Sequence, residues 1–229
     1  MREPRVRFGR RWSISSACPY PSWNVCDMRM RLRCINSAGP VLLILICAAY
    51  SARDRRVEMA TFAGGCFWCM EPPFDKLKGV TATTSGYIGG TKKKPTYAEV
   101  SRGLTGHAEA VRVTYDPEKV TYSKLLEVFW HNIDPTTPNR QFCDVGSQYR
   151  PAIFYHDETQ RRLAEESKQA LEQSRRFPKV AVEIAPAGDF YPAEDYHQDY
   201  YIRNPREYHE YRYRCGRDER LRDLWGKTK

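Results

Sequence analysis

Val57-Glu58-Met59-Ala60-Thr61-Phe62-Ala63-Gly64-Gly65-Cys66-Phe67-Trp68-Cys69 is the stretch that decides how this chain folds. Residues 57–63 are largely apolar and suited to an extended strand, two glycines follow, and the residues from Cys66 onward can turn into a helix. Strand, glycine turn and helix together put Cys66 at a helix N-terminus. There the first backbone N–H groups lack intrahelical partners and the helix dipole is positive. Such a position favours thiolate and draws a cysteine pKa from about 8.5 toward neutrality or below. Taken alone, a Gly-Cys pair beside two aromatics is equally a buried structural thiol, so the rest of the chain has to discriminate.

Working outward, the helix is predicted over 66–77, kinked or restarted at Pro72 and Pro73. Residues 80–88 form a second strand ended by Gly89-Gly90, and 90–106 read as a loop rich in Lys, Gly, Pro and Thr. Residues 107–115 alternate cleanly: His107, Glu109, Val111, Val113 and Tyr115 share one face, Arg112 and Thr114 the other. If the valines face the core, Glu109 lies on the buried side or at its mouth. Desolvation there raises a carboxyl pKa and makes it a proton donor near neutral pH. A glutamate reaching solvent from the strand end is the alternative.

Leu125, Leu126, Phe129 and Trp130 mark one side of a helix over 122–132. A strand is predicted at 152–155, a polar helix at 157–175 capped by Asp157, and a strand at 180–184. From 189 onward the chain reads as tyrosine-rich and loop-like. Strands alternating with helices predict an α+β fold, a two-layer α/β sandwich with a mixed sheet covered by helices largely on one side.

The formal net charge of +9 resides in the first 56 residues, where 11 Lys+Arg face 3 Asp+Glu. The remaining 173 residues carry 26 and 25, so a phosphate-binding face is not supported and no nucleic-acid partner is expected. Within 1–56, Arg clusters precede the apolar run Val41 to Ala49, and small residues follow at Ser51 and Ala52. That is the pattern of a signal peptide, with an apolar run too short to span a bilayer. The expected division is a leader over 1–56 and a folded body over 57–229, with no stable membrane association once a leader is removed. Two localisations stay open: periplasmic or secreted if the leader is translated, or cytoplasmic if translation starts near Met59.

Of eight cysteines, Cys18, Cys26, Cys34 and Cys47 lie in the leader and Cys66, Cys69, Cys143 and Cys215 in the body. Four in a body of this size are too sparse for a disulfide scaffold. Cys66-x-x-Cys69 suggests a dithiol redox pair or half a zinc site. Zinc needs a second pair or a close histidine, but Cys143 and Cys215 are single and far apart in sequence, so no metal is expected. Two other classes remain: a general dithiol oxidoreductase working through Cys66 and Cys69, and a zinc-stabilised binding domain. Gly103 to Glu109 is not a phosphate loop, since no Lys-Ser/Thr follows and no helix opens behind it.

The joint pattern is more specific than any of its parts. Gly64-Gly65-Cys66-Phe67-Trp68-Cys69-x-Glu71, Gly86-Tyr87-x-Gly89-Gly90, Pro95-Thr96-Tyr97, Gly106-His107-Ala108-Glu109, Asp144-x-Gly146-x-Gln148-Tyr149-Arg150 and Ala193-Glu194-Asp195-Tyr196-His197-Gln198 occur in that order. Over about residues 57–226 the chain resembles the A-type peptide-methionine sulfoxide reductases. The resemblance implies a ferredoxin-like core with a long irregular C-terminal segment. It also implies reduction of methionine S-sulfoxide, free or in proteins, as a repair of oxidised proteins. Cys66 then matches the nucleophile, which attacks the sulfoxide sulfur and becomes a sulfenic acid. Glu109 matches the proton donor, and Tyr97 and Tyr149 match hydroxyl donors to the oxygen. Asp144 matches a residue that fixes substrate and neighbouring donors, while Phe67 and Trp68 match the walls of the methyl pocket.

Turnover needs a resolving thiol. The resemblance favours Cys215, expected on a flexible tail, with Cys69 and then Cys143 as alternatives. A disulfide so formed is returned to dithiol by thioredoxin or an equivalent such as dithiothreitol. No bound cofactor is implied, and a monomer is expected.

Overall fold

A computed structural model describes residues 57–226. The leader, with its apolar run and four cysteines, lies outside the described residues. Strand β1 (Glu58–Ala63) ends at the double glycine, and α1 (Phe67–Asp75) starts directly after Cys66. Helix α1 runs through both prolines without restarting and ends two residues later, where the Lys76 amide donates to Pro72 O. The prolines withhold the donors that Trp68 O and Cys69 O would otherwise receive from four residues on, and the helix stops soon after them.

Strand β2 (Val80–Ile88) follows, then α2 (Tyr97–Val100), β3 (Ala108–Tyr115) and α3 (Tyr122–His131). Helix α2 interrupts the stretch that reads as a loop. The Glu99 carboxylate accepts from both the amide and the hydroxyl of Thr96, each at 3.0 Å. Thr-x-x-Glu is a capping-box spacing, and it was the available sign of this helix.

Two short strands, β4 (Arg140–Gln141) and β5 (Asp144–Val145), form a hairpin, and a 3-10 turn covers Ser147–Tyr149. Strand β6 (Ala152–Tyr155) leads to α4 (Glu158–Gln173), whose cap Asp157 accepts from the Gln160 amide at 2.8 Å. Strands β7 (Glu183–Pro186) and β8 (Tyr191–Pro192) complete the main sheet. The strand expected at 180–184 thus pairs three residues late. Val180 and Val182 are instead core residues leading into it, buried under the helices.

The six strands are ordered β7-β6-β1-β3-β2-β8. The central four, β6-β1-β3-β2, are antiparallel neighbours throughout and carry the βαββαβ connectivity of a ferredoxin-like core. The parallel β6–β7 pair makes the sheet mixed. One face packs under α1, α3 and α4. There Phe62 stacks against Phe74 (5.1 Å between centroids), Phe129 (5.3 Å) and Tyr122 (6.0 Å). The other face carries small residues, Ala63, Ala108, Ala110 and Ala152, with Ile88 and Phe154.

The C-terminal segment departs from the expectation of a long irregular stretch. It is irregular to Asp199, with a 3-10 turn at Asp195–His197, and helical thereafter: α5 (Tyr200–Arg203), α6 (Pro205–Arg214) and α7 (Arg217–Trp225). These helices carry no apolar stripe. They are held by side-chain pairs such as Arg214–Glu210 and Arg212–Asp218, and by burying Tyr208 and Leu224. Among the described residues no helix is long and apolar enough to cross a membrane.

Candidate active site

The turn between β1 and α1 requires its glycines. Gly65 sits at φ +84°, and a Cβ there would meet Gln141 Cβ at 2.5 Å. The tight turn puts Cys66 at the N-cap of α1, 6 % exposed, with the Cys69 amide donating to Cys66 O at 3.0 Å. Glu109 projects from the second position of β3 and is 1 % exposed. Its Oε2 accepts the Phe67 amide at 3.2 Å, so the carboxyl occupies one of the unpaired donors at the start of α1. Burial raises the Glu109 pKa to about 8. The Phe67 amide opposes the shift, and the Asp144 and Cys69 charges add to it. At neutral pH this carboxyl carries a proton.

Between the two thiols, the structure corrects the expectation that the helix end lowers Cys66. Burial first, then the hydrogen bond and charge of Cys69, then Glu109 and Asp144, push the Cys66 thiol well up. Cys69 is lowered to about 7, by the hydrogen bond from Cys66 against the cost of burial, with Arg217 and Arg212 assisting. The pair therefore titrates as one unit that holds a single negative charge near neutral pH. A fully buried N-cap flanked by carboxyls outweighs the dipole that sequence alone makes visible.

Tyr97 opens α2 and Tyr149 closes the 3-10 turn. Burial raises both phenols, and both sense Glu109, Asp144 and Cys66, which places five groups in one site. Among the described residues neither hydroxyl has a protein hydrogen-bond partner, so both are available to donate to a ligand. Asp144, on β5, accepts from Tyr211 OH of α6 at 2.5 Å, and burial raises its pKa.

Phe67 is 1 % exposed and packs on Tyr87 and His197. Trp68 is sandwiched more openly. It stacks on Tyr200 (3.8 Å, 6° between planes), and its indole N–H donates to His197 Nδ1 at 3.0 Å. Phe67 and Trp68 thus supply an apolar wall whose orientation is fixed from behind.

Cys215 is not on a flexible tail. It caps α6 and is joined to Cys143 in a disulfide, while Cys66 and Cys69 are free thiols. The structure therefore brings Cys69 to Cys66 and pairs Cys215 elsewhere.

Three supporting residues carried motif positions in the sequence but no assigned role, and a fourth, Tyr211, carried none. Glu194 accepts from Tyr87 OH at 2.7 Å and from the Tyr97 amide at 2.8 Å, fixing the start of α2. His197 orients Trp68. Glu71 is fully buried, with neither carboxyl oxygen hydrogen-bonded. Burial and the Asp75 charge raise it to about 8. With Asp75 and Asp199 it forms a carboxyl cluster whose oxygens lie within 4.8 Å of one another. Tyr211 had only the general excess of tyrosine to announce it. The one other close group of ligand-type side chains among the described residues is Cys143, Asp144 and Cys215, and its two sulfurs are bonded to each other.

Two coupled thiols at a helix start, a protonated carboxyl and two unengaged phenols define a thiol-based oxidoreductase. The family model for peptide methionine sulfoxide reductase matches residues 58–229. The MsrA of Halalkalibacterium halodurans is 53 % identical over 175 residues, covering 76 % of this chain and 99 % of that protein. The MsrA of Bacillus subtilis is 51 % identical over 174 residues, 76 % of this chain and 98 % of that protein. Among solved structures, Mxr1 from Saccharomyces cerevisiae in reduced form superposes with a TM-score of 0.63 at 33 % identity, covering 66 % of this chain and 87 % of that one. Methionine sulfoxide reductase A of Corynebacterium diphtheriae gives 0.58 at 35 % identity, covering 65 % and 76 %. The chain belongs to the peptide methionine sulfoxide reductase family, A type. Its chemistry is the reduction of methionine sulfoxide, a repair of oxidised methionine.

Proposed function

We propose that this chain reduces the S epimer of methionine sulfoxide, free or within proteins, through a sulfenic acid on Cys66. The observation that carries this reading is the Glu109 carboxyl bonded to the amide next to Cys66, on the buried face of β3. A protonated acid there can meet an oxygen attached to the sulfur that Cys66 attacks. Cys66 transfers its proton to the Cys69 thiolate, and the freed Cys66 thiolate attacks the sulfoxide sulfur. Glu109 protonates the oxygen, with Tyr97 and Tyr149 donating to it as charge develops. The S–O bond breaks, the OH passes to Cys66 as a sulfenic acid, and methionine leaves as the thioether. Phe67 and Trp68 receive the methyl group. Because that wall and the oxygen donors lie on different elements, only one chirality at sulfur satisfies both.

The Cys69 thiol then displaces water from the Cys66 sulfenic acid to form a disulfide, and an external dithiol, thioredoxin or an equivalent, returns both thiols. Cys69 rather than Cys215 is assigned here because it is the free thiol coupled to Cys66, while Cys215 is held in a disulfide with Cys143.

Purified protein given each sulfoxide epimer with dithiothreitol should release methionine from the S form only. No methionine from the S form would overturn the reading. Mass spectrometry after one equivalent of sulfoxide without reductant should find a Cys66–Cys69 bridge, and a Cys66–Cys215 bridge would restore the other assignment. We propose further that residues 1–56 direct export. Protein isolated from cells should then begin near residues 48–52, whereas an N-terminus at Met59 would remove that proposal.

A further inference from the structure

Arg217 heads the largest fully buried side chains of the described residues, at 1 % exposure, although it sits in a run of charged residues at the start of α7. Its Nη2 donates to Gly64 O at 3.1 Å, to Asn132 O at 2.7 Å and to Met70 Sδ at 3.0 Å. Its guanidinium carbon lies 4.4 Å from the Phe142 ring centroid, and Nε has no partner. Gly64 precedes Cys66 by two residues and Met70 directly follows Cys69, so this cation is clamped against the segments that flank both thiols.

Every protein acceptor that Arg217 bonds is neutral. Among the described residues no carboxylate pairs with it, whereas its neighbours are matched: Arg212 with Asp218 and Arg220 with Asp134. A guanidinium taken out of water against neutral acceptors alone is strongly disfavoured. Of the anions around it, Cys69 acts on it most strongly, followed by Cys66.

We propose that Arg217 is the positioning residue of the reactive thiol pair: its buried guanidinium is the counterion of the single negative charge that Cys66 and Cys69 share, and holds that charge on Cys69. The charge so placed makes Cys69 the acceptor of the Cys66 proton, and the cation stays behind when the thiolate is consumed. The Cys143–Cys215 disulfide lies two residues before Arg217 and ties the α6–α7 corner to the hairpin bearing Phe142, the ring over which the guanidinium stacks.

Other groups facing the thiols are the carboxyls Glu109 on β3 and Asp144 on β5, Arg212 on α6, and the phenols Tyr97, Tyr149, Tyr208 and Tyr211. Both carboxyls are raised by burial, Asp144 against an opposing pull from Tyr211 and Arg217, and Arg212 is engaged by Asp218. Arg217 is left as the cation at the pair that no carboxylate contacts as an ion pair among the described residues.

The inference rests on the two-thiol reading of the site, but it is tested without sulfoxide, so it can fail while reductase activity stands, and the reverse. The pH profile of iodoacetamide alkylation at Cys66 and Cys69 is measured on full-length protein with the Cys143–Cys215 disulfide intact. In Arg217→Met and Arg217→Gln the midpoint should rise by about one pH unit, a roughly fivefold loss of thiolate at pH 7. Arg217→Lys, which keeps the charge, should stay within about half a unit. Neutral variants titrating with the wild type, or Lys moving as far as Met, would overturn the proposal. A second measurement needs no change at Arg217. Thiolate formed at lower pH in the folded than in the unfolded chain adds stability as pH rises from 6 to 8. The wild type should therefore gain melting temperature over Cys66→Ser/Cys69→Ser across that interval. If the gap between the two does not widen, the cation is not answered by the thiolate and the proposal falls.

Discussion

Cys66→Ser should leave no measurable reduction of methionine sulfoxide, a loss on the order of 10⁴-fold or more. A serine hydroxyl at the N-cap of α1 fits the same space, but the Cys69 thiolate is far too weak a base to ionise it. An alkoxyl attached to sulfur also offers no sulfenic acid from which water can later be displaced. Serine is close in volume to cysteine, and Cys66 anchors no side-chain bond that the fold depends on outside the thiol pair. Melting should therefore change little at pH 6, where the wild-type pair is protonated. Activity retained in a folded Cys66→Ser protein would move the nucleophile to Cys69 and turn the proposed sequence of steps around.

Glu109→Gln should slow the first half-reaction by about 10²–10⁴-fold, the range expected for a positioned general acid. The amide keeps the acceptor for the Phe67 N–H but has no acidic proton to give to the departing oxygen. The pH dependence separates this role from simple packing. Glu109 is raised by burial to about 8, so wild-type activity should fall as pH rises through that value, and the Gln variant should lack this limb. Stability moves the same way. A carboxyl with a raised folded pKa contributes most below its unfolded value and loses that contribution as pH climbs toward 8. Glu109→Gln should thus melt closer to the wild type at pH 6 than at pH 9, where it should be the more stable of the two. A near-wild-type rate, or an alkaline limb that survives the substitution, would assign the proton to another group.

Much of the framework was legible because its signals are local. The strand–glycine–helix turn, the alternation in 108–115 and the Asp157 cap each rest on residues within one element, and all three stand in the structure. The period of its strand put Glu109 on the valine face but left open whether it reached solvent from the strand end; the structure buries it. What escaped was decided over long sequence distances. Arg217, in a run of charged residues, looks like part of a solvated face, yet it is buried by contacts 85 to 153 residues away. Helices α6 and α7 show no apolar stripe because charged and aromatic pairs hold them. The expectation of a lowered Cys66 met a related obstacle: a helix N-terminus is visible in sequence, while the burial and carboxyls that oppose it arrive from β3 and β5. The Cys143–Cys215 pairing, 72 residues apart, has no local mark at all.

That tether gives the molecule a chemical conflict of interest. Closing a loop of this length removes unfolded-chain freedom worth about 4 kcal/mol in the entropic account, a large share of the margin by which a domain of this size stays folded. The same dithiol reagent that, in the proposed cycle, opens the bridge made at Cys66 is able to attack this one as well. The protein's working lifetime then depends on selectivity between two sulfur–sulfur bonds. A reductant that reaches only the first sustains turnover, and one that reaches both gradually unfastens the C-terminal helices that hold Asp144 and the site behind it.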